Sequence, residues 1–312
     1  MLRRIGGWLL RTVLLIICGY LLVLGLYHMN KNFYDEDRAV KVNPIVELNR
    51  GKLTINDFEY LADYSRNLTI LNKSRFKYYA DYHEQIIALY PDKLDALGMA
   101  AYCHYQLGDF ERALALYKKA IARYPRFFWF YFNRGRIYYE RKSYQQAIDQ
   151  FKVAHKCEAN LAIRLIVSSK RIYTPMAAIL FNNAAGLSQQ LKAGFRDSLI
   201  FIVMGSYHTK NVKSILQYAR VGISSQFDDT GFFSFWSGYA AFEMKQYPVA
   251  QTYFQESIAR NPNLRDSFLY LSNIYGLIDN EMKAKEFEQK ARQIQDVFDP
   301  FTLTDRLEHY IY

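Results

Sequence analysis

Apolar and polar positions alternate with a helical period along most of the chain. Residues 131–154, "YFNRGRIYYERKSYQQAIDQFKVA", contain two apolar-periodic segments separated by a polar break at residues 141–143. Gly135 lies inside the first segment, where glycine costs roughly 1 kcal/mol relative to alanine in a helix. The pattern therefore predicts helices joined in pairs by short turns, and Gly135 is expected to serve packing.

The first thirty residues have a different pattern. From Trp8 to Tyr27 the chain is apolar except for Arg11 and Thr12. Twenty helical residues span about 30 Å, which is the thickness of the hydrocarbon core of a membrane. Arg11 lies within one turn of the N-terminal edge and is able to reach the headgroups, and Trp8 and Tyr27 occupy the places of an aromatic belt. Residues 1–30 are therefore predicted to be a single transmembrane anchor, with membrane contact through residues 8–27.

Three alternatives compete with an anchor. A cleaved signal peptide needs small residues after the apolar run, and "LGLYHMN" offers no such site. A lipoprotein signal needs small residues just before Cys18, where Ile16 and Ile17 stand. A buried core helix remains open, although such helices are seldom apolar on all sides for five turns.

The charges beside the apolar run favour one orientation. Arg3, Arg4 and Arg11 lie at its N-terminal side, whereas Lys31 on the other side is soon followed by three acidic residues at 35–37. Basic residues are retained on the cytoplasmic side. We therefore expect a cytoplasmic N-terminus and a large domain in the periplasm or an equivalent extracytoplasmic compartment.

The remainder of the chain repeats itself every 34 residues. "LYP" ends at Pro91 and "RYP" ends at Pro125, 34 residues later, and "RNP" ends at Pro262, four periods and one residue further on. Internal periods of this length are typical of arrays of helix pairs.

The order of residue types within the period is small, aromatic, alanine, aromatic and proline, and it resembles the tetratricopeptide repeat. In the unit ending at Pro125 the matching residues are Ala101, Gly108, Asp109, Phe110, Ala113, Tyr117 and Ala120. In the next unit they are Asn133, Gly135, Tyr138, Tyr144, Ala147, Phe151 and Ala154. A later unit has Gly238, Tyr247, Ala250, Phe254 and Pro262, and the last has Ser272, Tyr275, Ala284 and Ala291, with Asp296 in place of the closing proline.

The resemblance implies an all-α solenoid, a right-handed superhelix of helix pairs. The match is strong over residues 92–159 and 229–295, and it fades over residues 160–228, where two degenerate repeats are expected. The predicted organisation is an anchor (1–30), a juxtamembrane linker (31–52), capping helices (53–91), the solenoid (92–296) and a C-terminal tail (297–312). The apolar residues of the tail are expected to cap the last repeat or to dock into a partner.

In this family, small residues occupy the crossing point of the two helices in each pair. By position these are Ala101, Ala113, Gly135, Ala147, Gly238 and Ala250. Gly135 and Ala147 are expected to face each other, so that a large side chain at either position costs roughly 1–3 kcal/mol through overpacking.

The family also lines the concave face of its superhelix with the first helix of each pair. By position these residues are Tyr102, Tyr105, Phe132, Arg136, Tyr139, Phe235, Tyr239 and Phe242. Aromatic side chains and arginine are typical of protein-binding surfaces, although some of these aromatic residues are expected to fill the core between repeats instead. Arg136→Glu is accordingly expected to lose partners and to keep full helicity.

Composition and motifs narrow the function further. The net charge of +10 is not gathered into a long run, and no nucleic-acid motif accompanies it, so proteins and not nucleic acid are the expected partners. No metal-ligand, nucleophile or nucleotide motif occurs, and the six histidines are scattered singly. The chain is therefore predicted to be neither an enzyme nor a cofactor-binding protein.

Two functions remain open. The first is a membrane-anchored scaffold that organises a larger membrane or envelope assembly, such as a secretion, pilus or flagellar-motor machine. The second is a transient adaptor or chaperone that binds peptide segments of client proteins in the concave groove. A scaffold has a few fixed partners, whereas an adaptor has many weak ones.

Overall fold

In a computed structural model of the chain, residues 73–92, 94–157 and 183–307 are described. These ranges contain eleven α-helices, one 3-10 helix and no strand. The helices are α1 (Lys73–Leu89), α2 (Leu94–Gln106), α3 (Phe110–Arg123), α4 (Phe128–Glu140), α5 (Tyr144–His155), α6 (Asn183–His208), α7 (Val212–Ser224), α8 (Phe232–Glu243), α9 (Tyr247–Arg260), α10 (Arg265–Leu277) and α11 (Glu281–Gln293). The 3-10 helix is Leu303–Arg306.

Each helix packs against the next one along the chain. The helices α2 and α3, α4 and α5, α6 and α7, α8 and α9, and α10 and α11 form five pairs, and α1 precedes the first pair. Because each pair buries its apolar faces against its neighbours, the described ranges form an all-α solenoid.

The turn inside each pair has the same backbone conformation. One residue of every turn has a positive φ, and these residues are Gly108, Lys142, Lys210, Lys245 and Asp279. In three of the pairs an Asp or Asn side chain then caps the second helix, because Asp109, Asn211 and Asn280 each accept a hydrogen bond from a backbone N–H in its first turn. The left-handed residue reverses the chain, and the cap starts the returning helix.

Glycine sets the close approach of the helices in two of the pairs. A Cβ added to Gly135 would lie 3.0 Å from ring carbons of Phe151, and one added to Gly238 would lie 2.9 Å from the ring of Phe254. Both rings are fully buried. The absent side chain therefore makes room for the face of an aromatic ring, which explains why the helix tolerates the propensity cost.

The small residues predicted for the crossing points lie in the packed interior. All six are buried, namely Ala101, Ala113, Gly135, Ala147, Gly238 and Ala250. The three atoms nearest to an added Cβ on Gly135 belong to the ring of Phe151. That Gly135 and Ala147 face each other stays a prediction.

The segment between the two strong matches is described only in part. We expected two degenerate repeats over residues 160–228. The described residues there, 183–228, contain α6, which is 26 residues long, and α7, and these two helices pack as a pair. Helix α5 also packs against α6. Residues 158–182 lie outside the described ranges, and the number of repeats in this segment stays a prediction.

Helix α6 joins the two halves of the interior. Phe201 and Ile202 pack into the cluster formed by α1 to α5, whereas Ile200, Val203 and Met204 pack into the cluster formed by α7 to α10. Opposite faces of one helix therefore contribute to two cores, and a long apolar helix is needed at this place.

Several predictions lie outside the described residues. They are the anchor at 1–30, the linker at 31–52 and the first part of the cap, residues 53–72. Among the helices of the described ranges, none combines the length and the apolar character needed to cross a membrane.

Candidate protein-binding groove

A continuous row of aromatic rings runs along the first helices of successive pairs. Tyr139 of α4 lies 6.1 Å from His208 of α6, and His208 lies 5.6 Å from Tyr207 on the same helix, between ring centroids. Further along α6, Tyr207 lies 5.7 Å from Tyr239 of α8, and Tyr239 lies 6.0 Å from Tyr270 of α10. These spacings are those of favourable aromatic pairs, so the row connects four helix pairs along one face of the array.

The hydroxyl groups of Tyr139, Tyr239 and Tyr270 stay protonated across the physiological range. Burial is the main reason that the pKa values of Tyr139 and Tyr239 are raised to about 12. Burial also raises the pKa of Tyr270. The row therefore presents neutral phenols, which bind through apolar area and through hydrogen bonds that they donate or accept.

Of the predicted C-terminal tail (297–312), residues 298–307 lie along this row, and these described residues are called the tail from here on. The ring of Phe301 is 5.5 Å from that of Tyr207 and 5.1 Å from that of Trp236. Thr304 is buried and shares a hydrogen bond with the Tyr139 hydroxyl. We expected the tail to cap the last repeat or to dock into a partner, and the structure shows a third arrangement in which it contacts the first helices α4, α6 and α8 of its own chain.

Comparison with known proteins agrees with this architecture. Two tetratricopeptide-repeat family profiles match the chain, one over residues 80–126 and 99–159 and the other over residues 234–264.

Several solved structures are similar to this chain. YrrB, a tetratricopeptide-repeat protein described as having an unusual peptide-binding site, has a TM-score of 0.50 and 18% identity, and the match covers 73% of this chain and 100% of YrrB. PilF of Pseudomonas aeruginosa has a TM-score of 0.46 and 12% identity, over 75% of this chain and 90% of that one. A tetratricopeptide-repeat protein of Parabacteroides merdae has a TM-score of 0.36 and 13% identity, over 88% and 91%. No protein of curated function matches the sequence.

The structure separates the eight predicted groove residues into two sets. Five of them are buried in the repeats: Tyr102, Tyr105, Phe132, Arg136 and Phe235. Three are half-buried: Tyr139, Tyr239 and Phe242. The expectation of an open surface is corrected for the buried five, because their side chains fill space between neighbouring helices. The half-buried three belong to the aromatic row, and their role in binding stays a prediction.

Arg136 shows why its position within the repeat did not predict whether its side chain is exposed. Its side chain is 5% exposed, and its guanidinium lies 5.3 Å from the centroid of the Phe201 ring, in a cation–π contact between α4 and α6. Nearby, the Tyr105 hydroxyl donates a hydrogen bond to a carboxylate oxygen of Glu140. Arg136 therefore links two repeats, and its charge is held within the array.

Sequence reasoning missed Tyr207 and Tyr270 of the row, and also Trp236, a fully buried ring 5.2 Å from the ring of Tyr239. Trp236 and Tyr270 stand two residues before the small residues Gly238 and Ser272, so they share one position in the 34-residue period. Applying this register to the last repeat would have found Tyr270. Tyr207 lies in the long helix α6, where the repeat pattern fades.

Other chemistry is sparse in the described ranges. No group of three His, Cys, Asp or Glu side chains is placed there to share a metal ion. Cys103 and Cys157 are free thiols, and Cys103 is buried. What the described residues offer is a long aromatic contact surface.

Proposed function

We propose that this protein is a membrane-anchored scaffold that binds peptide segments of other proteins along its aromatic row. The row supports this proposal because it is long, rigid and only half-buried. Tyrosine and tryptophan supply contact area with little loss of side-chain entropy, and they are enriched where proteins bind one another. Tetratricopeptide repeats are a scaffold for protein–protein interaction, and this chain places the row on the first helices, where a peptide groove is expected.

The observation that carries the proposal is that a peptide segment already lies on the row. The tail contacts three first helices through Phe301, Thr304 and Leu307. The surface therefore accepts a short segment of turn and 3-10 helix that carries apolar side chains at intervals.

The anchor is the second part of the proposal. Residues 8–27 are apolar and long enough to span a membrane, and Arg3, Arg4 and Arg11 favour a cytoplasmic N-terminus. The repeats then lie in the periplasm or an equivalent compartment. There they hold partners in a membrane or envelope assembly, for which a secretion, pilus or flagellar-motor machine is a fitting class.

Crosslinking in intact cells tests the scaffold, followed by affinity purification from detergent-solubilised membranes and mass spectrometry. The wild-type chain is compared with a Tyr239→Ala/Phe242→Ala variant and with Val249→Ala, a matched change at a 39% exposed position on the second helix of the same pair. We expect a small set of near-stoichiometric partners with the wild type and with Val249→Ala, and their loss with the double variant.

Two results would redirect the proposal. An unchanged partner set with the double variant contradicts binding through the row. A long set of substoichiometric clients supports the transient adaptor or chaperone instead.

The anchor has its own test. The full chain and a variant lacking residues 1–30 are fractionated, and the membranes are washed at alkaline pH. We expect the full chain to stay in the membrane and the variant to leave it. Protease digestion of the repeats in cells with a permeabilised outer envelope then tests the orientation, since protected repeats would contradict an extracytoplasmic domain.

A further inference from the structure

The tail binds the array in the way a foreign peptide would. The Phe301 ring contacts Tyr207 of α6 and two rings of α8, Phe235 and Trp236, at centroid distances of 5.5, 5.7 and 5.1 Å. Three rings from two different repeats thus form one pocket for a single side chain. Such a pocket is the usual form of an anchor site in protein recognition.

The side chains of the tail sort by chemistry around that pocket. Leu303 and Leu307 pack against the apolar clusters of the repeats, and Thr304 is buried beside Tyr139. Asp305 and Arg306 are exposed. Apolar residues and one hydroxyl therefore face the groove, and the charged residues face solvent.

The approach of the tail to the groove is set by a local turn. Pro300 is buried, and the Asp299 carboxylate accepts hydrogen bonds from the Phe301 backbone N–H at 2.8 Å and from the Thr302 hydroxyl at 3.1 Å. These contacts hold the tail in its bound shape before it meets the row. Preorganisation of this kind lowers the entropy lost on binding.

Little backbone bonding ties the tail to the repeats. Within the described ranges, one backbone hydrogen bond joins them, from the Phe298 N–H to the Asn263 carbonyl oxygen at 2.9 Å. Phe301, Leu303 and Leu307 all stay half-exposed and are not enclosed as the core rings are. A segment held mainly by half-buried side chains is able to exchange with another segment of the same chemistry.

We propose that the tail is an internal ligand of the groove, displaced by a partner segment of the same chemistry. That segment adopts the turn and 3-10 helix of the tail, and it has an aromatic residue, a leucine two positions later, a hydroxyl residue next to it and a second leucine three positions further on. This inference rests on the proposed function and adds its regulation: the groove is closed to weak segments and opens to those that match the tail.

The short connection between α11 and Phe298 makes the internal ligand a strong competitor. A tethered segment on a short linker has an effective concentration on the order of millimolar. If the free tail peptide binds an open groove at about 10 μM, the tether therefore weakens binding of an added copy on the order of 100-fold.

A peptide of residues 298–307 tests this directly. The labelled peptide is titrated into the purified full chain in mild detergent, and fluorescence anisotropy measures its Kd. The wild type is compared with a Phe301→Ala/Leu303→Ala/Leu307→Ala variant, whose own tail has lost its contacts, and with Asp305→Ala/Arg306→Ala, which changes only exposed positions. We expect at least about 10-fold tighter binding to the triple variant than to the other two, and no binding of a control peptide with the same three alanines.

Equal binding to all three chains overturns the proposal. So does an absence of binding to a triple variant that keeps wild-type helicity and a cooperative thermal transition. If the triple variant does not fold, hydrogen exchange of the wild-type chain tests whether the added peptide displaces the tail. With millimolar peptide, the amides of residues 301–307 should exchange faster, and unchanged exchange is evidence for a permanent structural element.

Failure of this inference is distinguishable from failure of the proposed function. If partners are captured through Tyr239 and Phe242 but the tail peptide does not exchange, the scaffold proposal is supported and the internal-ligand inference is contradicted. If the tail peptide exchanges but no cellular partner binds the row, the internal-ligand inference is supported and the scaffold proposal is contradicted.

Discussion

The ring of Phe233 covers Gly222 so closely that a Cβ on the glycine would lie 2.4 Å from a ring carbon. The glycine belongs to α7 and the ring to α8, so this contact joins two successive repeats. The same relationship recurs inside pairs at Gly135 and Gly238. A ring over a glycine is therefore a repeated element of the packing of this array.

Replacing Gly222 by alanine should lower stability. The added methyl group overlaps a fully buried ring, and relief of such overpacking costs roughly 1–3 kcal/mol. Gly276→Ala is the matched control, because nothing lies within 4 Å of its added Cβ and alanine is the better helix former. Chemical denaturation of both variants should show a loss for Gly222→Ala and no loss for Gly276→Ala, and equal stability of the two would contradict the ring contact.

Arg136→Glu should destabilise the fold, which replaces the expectation from the sequence that it loses partners alone. The arginine is buried over the Phe201 ring, and a carboxylate there faces the negative face of the ring without water. Arg136→Lys keeps the charge and is expected to lose less stability than Arg136→Glu. Thermal unfolding followed by circular dichroism measures whether stability falls in the order wild type, Arg136→Lys, Arg136→Glu. An Arg136→Glu chain as stable as the wild type would contradict the burial of this side chain.

Lys142→Gly should stabilise the chain by up to about 1 kcal/mol, because Lys142 has a φ of 57° in the turn between α4 and α5 and left-handed backbone is costly for a residue with a Cβ. Lys119→Gly, at an exposed position inside α3, should instead lose about 1 kcal/mol. Urea midpoints of the two variants should thus shift in opposite directions. A loss in both would show that the turn does not strain the lysine.

His83 should make stability depend on acid. Burial lowers its pKa from 6.5 to about 3, so between these values the unfolded chain binds a proton that the folded chain does not. Stability from this group is complete above pH 6.5 and is lost as the pH falls, by about 2 kcal/mol at pH 5. The melting temperature should decline less steeply between pH 7 and pH 5 in His83→Phe than in the wild type, and parallel curves would exclude this role.

The helices of the repeats were predictable because the sequence repeats a complete unit of structure. The residues at Gly108 and Lys142 stand 34 positions apart, and both occupy the left-handed position of the turn. A period that fixes the turn also fixes the two helices on either side of it. Where the period fades, over residues 160–228, the expectation of two repeats stays a prediction, because residues 158–182 lie outside the described ranges.

Exposure in the groove was less predictable than its helices. A first helix packs against its own second helix and against both neighbouring repeats, so only a narrow stripe of it stays accessible. Phe132 and Tyr139 lie on the same helix two turns apart, yet Phe132 is fully buried and Tyr139 is not. The difference depends on how much of each side chain the neighbouring helices cover, and this cannot be read from the sequence alone.

The tail shows the same limit at longer range. Phe301 and Leu307 have no helical period, and nothing in the local pattern says which surface they meet. Their contacts lie on α6 and α8, many residues earlier in the chain. The tail is placed by packing against helices that are distant in sequence, and its local pattern does not specify that packing.

Site-specific photo-crosslinking in intact cells is the most direct measurement of the central claim, that the aromatic row binds other proteins. A photoreactive phenylalanine analogue replaces Tyr239 on the row or Gln255, an exposed residue on the second helix of the same pair. The account predicts a discrete high-mass adduct from position 239 and none from position 255. Adducts from position 255 alone, or equal adducts from both, would contradict it.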